Sequence, residues 1–425
     1  MSSQKSEFGP TVLVIGGGSA SGHVADWSAR VVRAAIRRGV TLEIADIPDA
    51  LAPLDGQEIV VPWQLDFRDP DAASRLAERR IAVLDGALAA VVSFRELGVQ
   101  SAAVAAERVH LAWNSAKAIT TVRRKDLTRA SLRRAGLPQP VSRAFTACEE
   151  AIDFLEKEPG RWVVKPSHSL GSQGVSVVAS ADQADQAVCA AARFGWPILV
   201  EEQVSGEEFS AEGLFVAGHP HIVALTRKQL GPEPYFVSIG HVMPAELDPS
   251  LETRVRDAVI AALSAVGLTH SLFHAEFWVT PAAEVIIGEV HARPGGDWIH
   301  RLVEEVHGID LFDAALAELV GDPVGTLVTN DVAAAATAAV VADKAGVLRE
   351  ITGVEAVRSD PRCVVLDIKA QVGLSYSRPT SHYDRLALVV ARGADADAAA
   401  QAANELAGRL VPIFDVNSED NPDKE

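Results

Sequence analysis

The chain has 425 residues, 57 acidic against 39 basic, and a formal net charge of −18. That balance disfavours nonspecific binding to nucleic acid or to anionic membranes, both of which need a basic surface. Two or three packed domains are expected at this length, and 48% hydrophobic residues are ample for their cores. The three cysteines, Cys148, Cys189 and Cys363, lie far apart without CxxC spacing, which fits a reducing compartment and no zinc site. The opening MSSQKSEFGP has no apolar signal core, and the longest apolar runs are too short to span a bilayer. A soluble cytoplasmic protein is expected.

In chain order, a β-branched run at 11–15 ends in Gly16-Gly17-Gly18, followed by a helical pattern at 24–38 and a strand at 41–47. This β–turn–α–β order opens a doubly wound α/β unit. Apolar segments at 59–62 and 82–93 extend it to about residue 112. Residues 114–135 read as a helical connection closed by Gly136 and Pro138. A small α+β module follows, with strands at 161–165, 174–179 and 197–203 and a helix at 181–194. Beyond it come alternating residues at 236–242, a helix at 249–266, strands at 271–279 and 284–290, and a helix at 299–319. Further strands at 363–371 and 385–392 and an Ala-rich helix at 395–410 complete the pattern. The charged tail SEDNPDKE is expected to be disordered.

Four clusters carry chemical information. The run Gly16 to Gly22 suggests a dinucleotide turn, but GxGxxG starting at Gly16 needs glycine at position 21, which is Ser21. Asp46 is only loosely placed for a ribose, so a glycine turn presenting amides to a small ligand at a helix N-terminus is the better reading. The second cluster, Trp162 to Val175, places Lys165 in an apolar strand before a loop of Ser and Gly residues. A lysine there is costly unless an anion meets it, and such a loop offers N–H groups to phosphate oxygens. No GK[ST] closes it, so it is not a Walker A loop; a glycine-rich hairpin with a snorkelling lysine is the plainer alternative. In the third cluster, Ile198 to Ser210, a strand runs into acids and a Gly206 turn. Exposed backbone there can pair with a purine edge, although a solvated turn has the same composition.

The fourth cluster says most. Glu276 lies on one expected strand, and Glu289, His291 and Arg293 end the next. If the strands are neighbours, both glutamates point into one site, where hard oxygen donors suit magnesium. Arg293 has the planar fork to clamp a phosphate or carboxylate. A surface ion-pair network is the alternative, and the apolar flanks argue against it.

In this order the clusters resemble the ATP-grasp superfamily over about residues 114–319, and within it most resemble the L-amino acid ligases, or dipeptide synthetases. The resemblance implies an α/β ATP-grasp fold with a Rossmann-like N-terminal domain (1–112). A linker helix and small ATP-grasp subdomain (113–206) and a catalytic subdomain with a terminal α+β extension (207–425) would follow. It implies ATP and Mg2+ as cofactors, with Lys125 and Lys165 as the ATP lysines and Ser172 and Gly174 in the loop over the phosphates. Glu201, Glu202 and Val204 then face adenine, mainly through backbone, and Glu208 binds ribose. Glu276 and Glu289 match the magnesium ligands, with His291 where the family pattern Glu-x-Asn-x-Arg has asparagine; imidazole is a poorer magnesium donor. Arg293 is expected to stabilise the reaction intermediate.

The implied activity is that of an ATP-dependent ligase forming C–N bonds. A carboxylate becomes an acyl phosphate, an amine attacks it, and ADP and phosphate leave. An ATP-dependent carboxylase or formyl transferase of the biotin-carboxylase or purine-biosynthesis type is the alternative, and an inactive nucleotide-binding protein is the alternative of another class. Expected partners are small-molecule carboxylate and amine substrates, with no nucleic acid and no membrane, and with a homodimer open.

Overall fold

The computed structural model describes residues 9–325, 327 and 334–415, so the charged tail lies outside the described residues. The first sheet comprises β1 (Thr11–Ile15), β2 (Thr41–Asp46), β3 (Val60–Gln64) and β4 (Leu88–Val92), in the order β3-β2-β1-β4. Its pairings are all parallel. Residues 12–15 of β1 are almost fully buried, as a parallel strand covered on both faces must be. Strand order reverses at β1, so the turn after β1 and the loop after β4 border the crevice where such sheets bind ligands. The apolar segment 82–93 is not one strand. The helix Pro70–Leu84 takes its start, and Asp85 and Gly86, both at positive φ, turn the chain into β4.

The connection 114–135 is two helices, Ala116–Arg123 and Lys125–Arg134, broken at the extended Arg124. Tertiary hydrogen bonds hold the break: the Lys125 N–H donates to Ser167 O (2.9 Å), and Ser167 Oγ meets the Asp126 carboxylate. Lys125 thereby sits at the head of its helix, against the small module. That module is an antiparallel sheet of β5 (Ser142–Phe145), β6 (Trp162–Pro166), β7 (Ser176–Val178) and β8 (Ile198–Glu202), in the order β5-β8-β6-β7. The helices Cys148–Lys157 and Ala184–Ala192 supply its separate core with Val164, Val188 and Ile198.

The largest sheet has eight antiparallel strands. From the middle of the chain come β9 (Glu207–Val216), β10 (His219–Leu230), β11 (Ser238–Met243), β12 (Leu272–Val279), β13 (Val285–His291) and β14 (Ala334–Val340). After β15 (Gly346–Thr352), β16 (Cys363–Ile368), β17 (Ser375–Tyr376) and β18 (Ala387–Gly393), the helix Ala396–Gly408 leads to β19 (Val411–Asp415). The order is β13-β12-β9-β10-β11-β14-β18-β16, so the C-terminal strands continue the central sheet; β17-β15-β19 form a small sheet of their own. The expected helix 299–319 divides into Ile299–His307 and Leu311–Val320. Gly308 (φ 68°) ends the first, and the Asp310 carboxylate caps the second. Among the described residues no helix is long and apolar enough to cross a membrane.

Candidate active site

Strand alternation builds one polar face on the eight-stranded sheet. On β9 and β12 the opposed pairs are Glu208 with Trp278, Ser210 with Glu276, and Glu212 with His274. His274 in turn faces His291 on β13, and a bulge beyond Ala275 sets Glu276 against two residues of β13. Lys228 on β10 faces His241 on β11. Above this face lies a cavity of about 620 Å³, walled also by the small module, the N-terminal helix (Gly22–Arg38), the loop after β4, and the C-terminal extension.

At one end of the cavity the sequence-derived residues converge. Glu289 lies 3.4 Å from Lys125 Nζ, 3.8 Å from Lys165 Nζ and 3.3 Å from His291 Nε2. Burial opposes its ionisation, but Lys125, His291 and Lys165 hold it well below the usual carboxylate range. Glu276 is depressed in the same way against its burial, by Lys228 at 3.2 Å and by His274. The Glu208 carboxylate also meets Lys228, yet burial, the largest influence, keeps its pKa raised. His274 is raised to about 9: burial opposes the charge, and Glu212 and Glu276 outweigh it.

Lys165 is compensated within the protein. Its Nζ lies 2.6 Å from Glu201, and Arg129 makes the second ion pair to the same carboxylate. Arg129 also donates to Ile287 O and Gly288 O, tying the small module to β13. The Glu201 side chain is therefore committed to these cations, and burial notwithstanding it is held down to about 2 by Arg129 and Lys165. Any contact from Glu201 to a base must come from its backbone, as the reading of 201–204 expects. There, Glu202 N–H and Gln203 N–H already donate to Val141 O and Arg161 O, whereas Val204 N–H donates to no described backbone carbonyl. Ser172 (φ 61°) lines the cavity and donates to Phe236 O at 3.0 Å. Gly174 (φ 71°) packs behind the loop against Phe194 and Pro166, off the cavity wall.

The first glycine turn does less than its composition suggests. The Gly18 N–H donates to the fully buried Asp46, which also accepts from Ile47 N–H and Arg95. A Cβ on Gly18 would stand 2.4 Å from Ala50 O, so close backbone packing explains that glycine. Asp46 closes the turn and does not face a ribose.

Glu96, in the loop after β4, was not singled out in the sequence. It accepts from Arg293 Nε at 3.1 Å, pairs with His291 Nδ1 at 3.3 Å, and lies 3.5 Å from Arg123. Both ring nitrogens of His291 thus face carboxylates, Glu96 on one side and Glu289 on the other. Lys228, Arg129 and the buried Asp297–Arg385 pair (2.7 and 2.5 Å) were missed too. Only Glu96 had an available signal, its place at the end of a strand beside the switch in strand order.

Residues 159–301 match the family model described as ATP-grasp domain. Fold and this match define that stretch as an ATP-grasp domain. Residues 338–414 match the model described as L-amino acid ligase C-terminal domain 2, and the likeness within the superfamily is to the L-amino acid ligases. The crystal structure of an L-amino acid ligase from Bacillus licheniformis superposes with a TM-score of 0.78 at 21% identity, covering 96% of this chain and 100% of that one. An N5-carboxyaminoimidazole ribonucleotide synthetase from Thermotoga maritima shares the fold at TM-score 0.69 and 15% identity, covering 96% and 100%. Alanine–anticapsin ligase of Bacillus subtilis is 24% identical over 249 residues, 53% of this chain and 52% of that protein. The chain spans about half the length of the curated relatives it matches.

Proposed function

We propose that the chain is an ATP-dependent carboxylate–amine ligase, an L-amino acid ligase that joins its substrates through an acyl phosphate. The observation that carries this reading is the convergence on Glu289 of Lys125, Lys165 and His291, with Arg293 joined to His291 through Glu96. In it, Lys125, Lys165 and Lys228 neutralise the phosphates of ATP, Val204 N–H and its neighbours meet adenine, and Glu208 holds the ribose. Glu276 and Glu289 would hold Mg2+. Among the described residues no group of three or more His, Cys, Asp or Glu can hold a metal alone. Two carboxylates fit this ion, which takes one or two from protein and the rest from phosphates and water. When bound, the ion supplies Lewis-acid stabilisation of phosphoryl charge.

The substrate carboxylate attacks the γ-phosphorus to give an acyl phosphate and ADP. The amine then attacks the acyl carbon, and Arg293, steadied by Glu96, stabilises the tetrahedral oxyanion until phosphate departs. The loop bearing Ser172 shields the acyl phosphate from water. His291 acts on this reading through Glu289 and Glu96, orienting both rather than adding an oxygen donor. The protein would work in the cytoplasm on small molecules, as a monomer or a homodimer.

The likeness to carboxyaminoimidazole synthetases is one of fold, and the C-terminal match favours the ligase. ADP release in the presence of amino-acid pairs, bicarbonate or formate tests the choice. ADP with a mass-identified dipeptide is expected; release driven by bicarbonate or formate alone sinks the ligase reading.

A further inference from the structure

The far end of the cavity, where the N-terminal helix meets the C-terminal extension, holds four cations, and three are matched. Arg95 is bound to Asp46, Arg385 to Asp297, and Arg293 to Glu96. Lys369 follows β16 and is tied by its backbone N–H to Leu386 O. Its side chain lines the cavity, and no described carboxylate makes an ion pair with it. The acids nearest in its field are spoken for: both Asp297 oxygens accept from Arg385, and Asp367 accepts from Trp298 Nε1 at 2.9 Å. Burial lowers the Lys369 pKa and the Arg385 charge adds to the effect, as expected for a cation short of a partner. His23, Arg293 and Lys369 all line this one cavity.

We propose that Lys369 binds the carboxylate of the amine substrate and so sets a preference for acceptors that carry a free carboxylate. The assignment rests on the ligase reading. A ligase consumes one carboxylate, that of the acyl donor, beside Arg293 and Glu289. The carboxylate that survives into the product belongs to the acceptor and needs a counter-charge away from the phosphates. Lys369 is the cation placed for it, and a single ammonium without a nest of N–H groups suits a monoanion better than a phosphate.

The test is steady-state kinetics with ATP and donor saturating and the acceptor varied. The acceptors are an amino acid, its C-terminal amide and its phosphonate analogue. Lys369→Met should raise KM for the amino acid about 10- to 100-fold, the usual loss for one charge-assisted contact, with little change in kcat. KM for the amide should stay within about twofold, so the acid-over-amide preference collapses. Lys369→Arg should restore most of that preference, which a folding defect would not allow. An unchanged preference in Lys369→Met overturns the assignment, as does a KM increase confined to the donor, or a wild-type preference for the phosphonate over the acid. A wild-type protein that ligates no pair of substrates overturns the ligase reading itself, and this assignment with it.

Discussion

The two ends of the cavity differ in how completely their charges are matched. At the end walled by the small module, every cation singled out has an acidic partner inside the protein. Lys165 and Arg129 share Glu201, Lys125 lies by Glu289, and Lys228 lies between Glu208 and Glu276. At the far end one ammonium stands unmatched, and the imidazoles of His23 and His382 are pushed down to about 3, chiefly by burial. A site for a polyanion must stay folded before its ligand arrives, so it stores its cations against carboxylates that a metal or the phosphates can later engage. The far end compensates Arg95, Arg385 and Arg293 in the same way and leaves Lys369 without a carboxylate partner among the described residues, which is why the proposed acceptor contact falls there.

The first way to break this contrast is Glu289→Gln. The amide keeps the shape and removes the charge, so turnover should fall about 10³- to 10⁴-fold if several kcal/mol of phosphoryl stabilisation depend on it. Lys125 and Lys165 lose a competitor in the same variant, so metal-free ATP affinity by calorimetry should hold or rise. Wild-type ADP release would remove Glu289 from the chemistry.

Arg129→Met tests whether the compensation is structural. It leaves Glu201 facing Lys165 alone and takes two hydrogen bonds from the carbonyls of β13. Breaking a buried pair of this kind costs about 3–5 kcal/mol. Chemical denaturation should show that loss; stability within about 0.5 kcal/mol of wild type would mean water replaces the arginine.

Arg293→Lys probes the border between the two ends. Lysine keeps the charge but loses the fork, so ATP should bind nearly normally while product formation in a single turnover drops about 10²-fold. A destabilised variant with full turnover per folded molecule would assign Arg293 to the turn it begins.

How much of this was legible differs by residue. Glu276, Glu289 and Arg293 were readable because acids within apolar strands and an arginine just past one are locally conspicuous. Lys228 was not. The β9–β10 hairpin turns tightly at Ala217-Gly218, and counting from that turn sets Arg227 opposite Glu208. A bulge between Ile222 and Ala224 shifts the register by one, which brings Lys228 there instead. Because the side-chain period is two, that single residue decides which cation enters the site. Glu96 and Arg293 are 197 positions apart, and only tertiary packing joins them. The helix at 114–135 read as continuous because its break at Arg124 is stabilised by Ser167, outside any local pattern. Lys369 falls in a stretch that reads as strand, and its significance appears only once the C-terminal strands extend the central sheet.

The smallest expected effect is a pH dependence joining the two ends. His382 Nε2 accepts the Ser238 N–H at 3.0 Å, which requires a lone pair on that nitrogen. Ser172 Oγ lies 3.3 Å from the same atom, and the His382 backbone N–H donates to Gly171 O, so the ring ties β11, and the backbone ties the loop bearing Ser172, to the C-terminal extension. An imidazolium cannot accept, and burial already holds the folded-state pKa at about 3, far below the ordinary 6.5. With the folded value depressed, the unfolded chain takes up the proton first as pH falls. Stability is therefore intact above about 6.5 and is lost progressively from there down towards 3. Between pH 7 and pH 5 the wild type should lose about 1–2 kcal/mol more than His382→Gln, the partial exposure of the ring keeping the figure below the full linkage value. Urea denaturation of both proteins at the two pH values measures the difference. Equal losses would show that the ring titrates normally in the folded state, and the fastening would then have to rest on the Gly171 backbone contact alone.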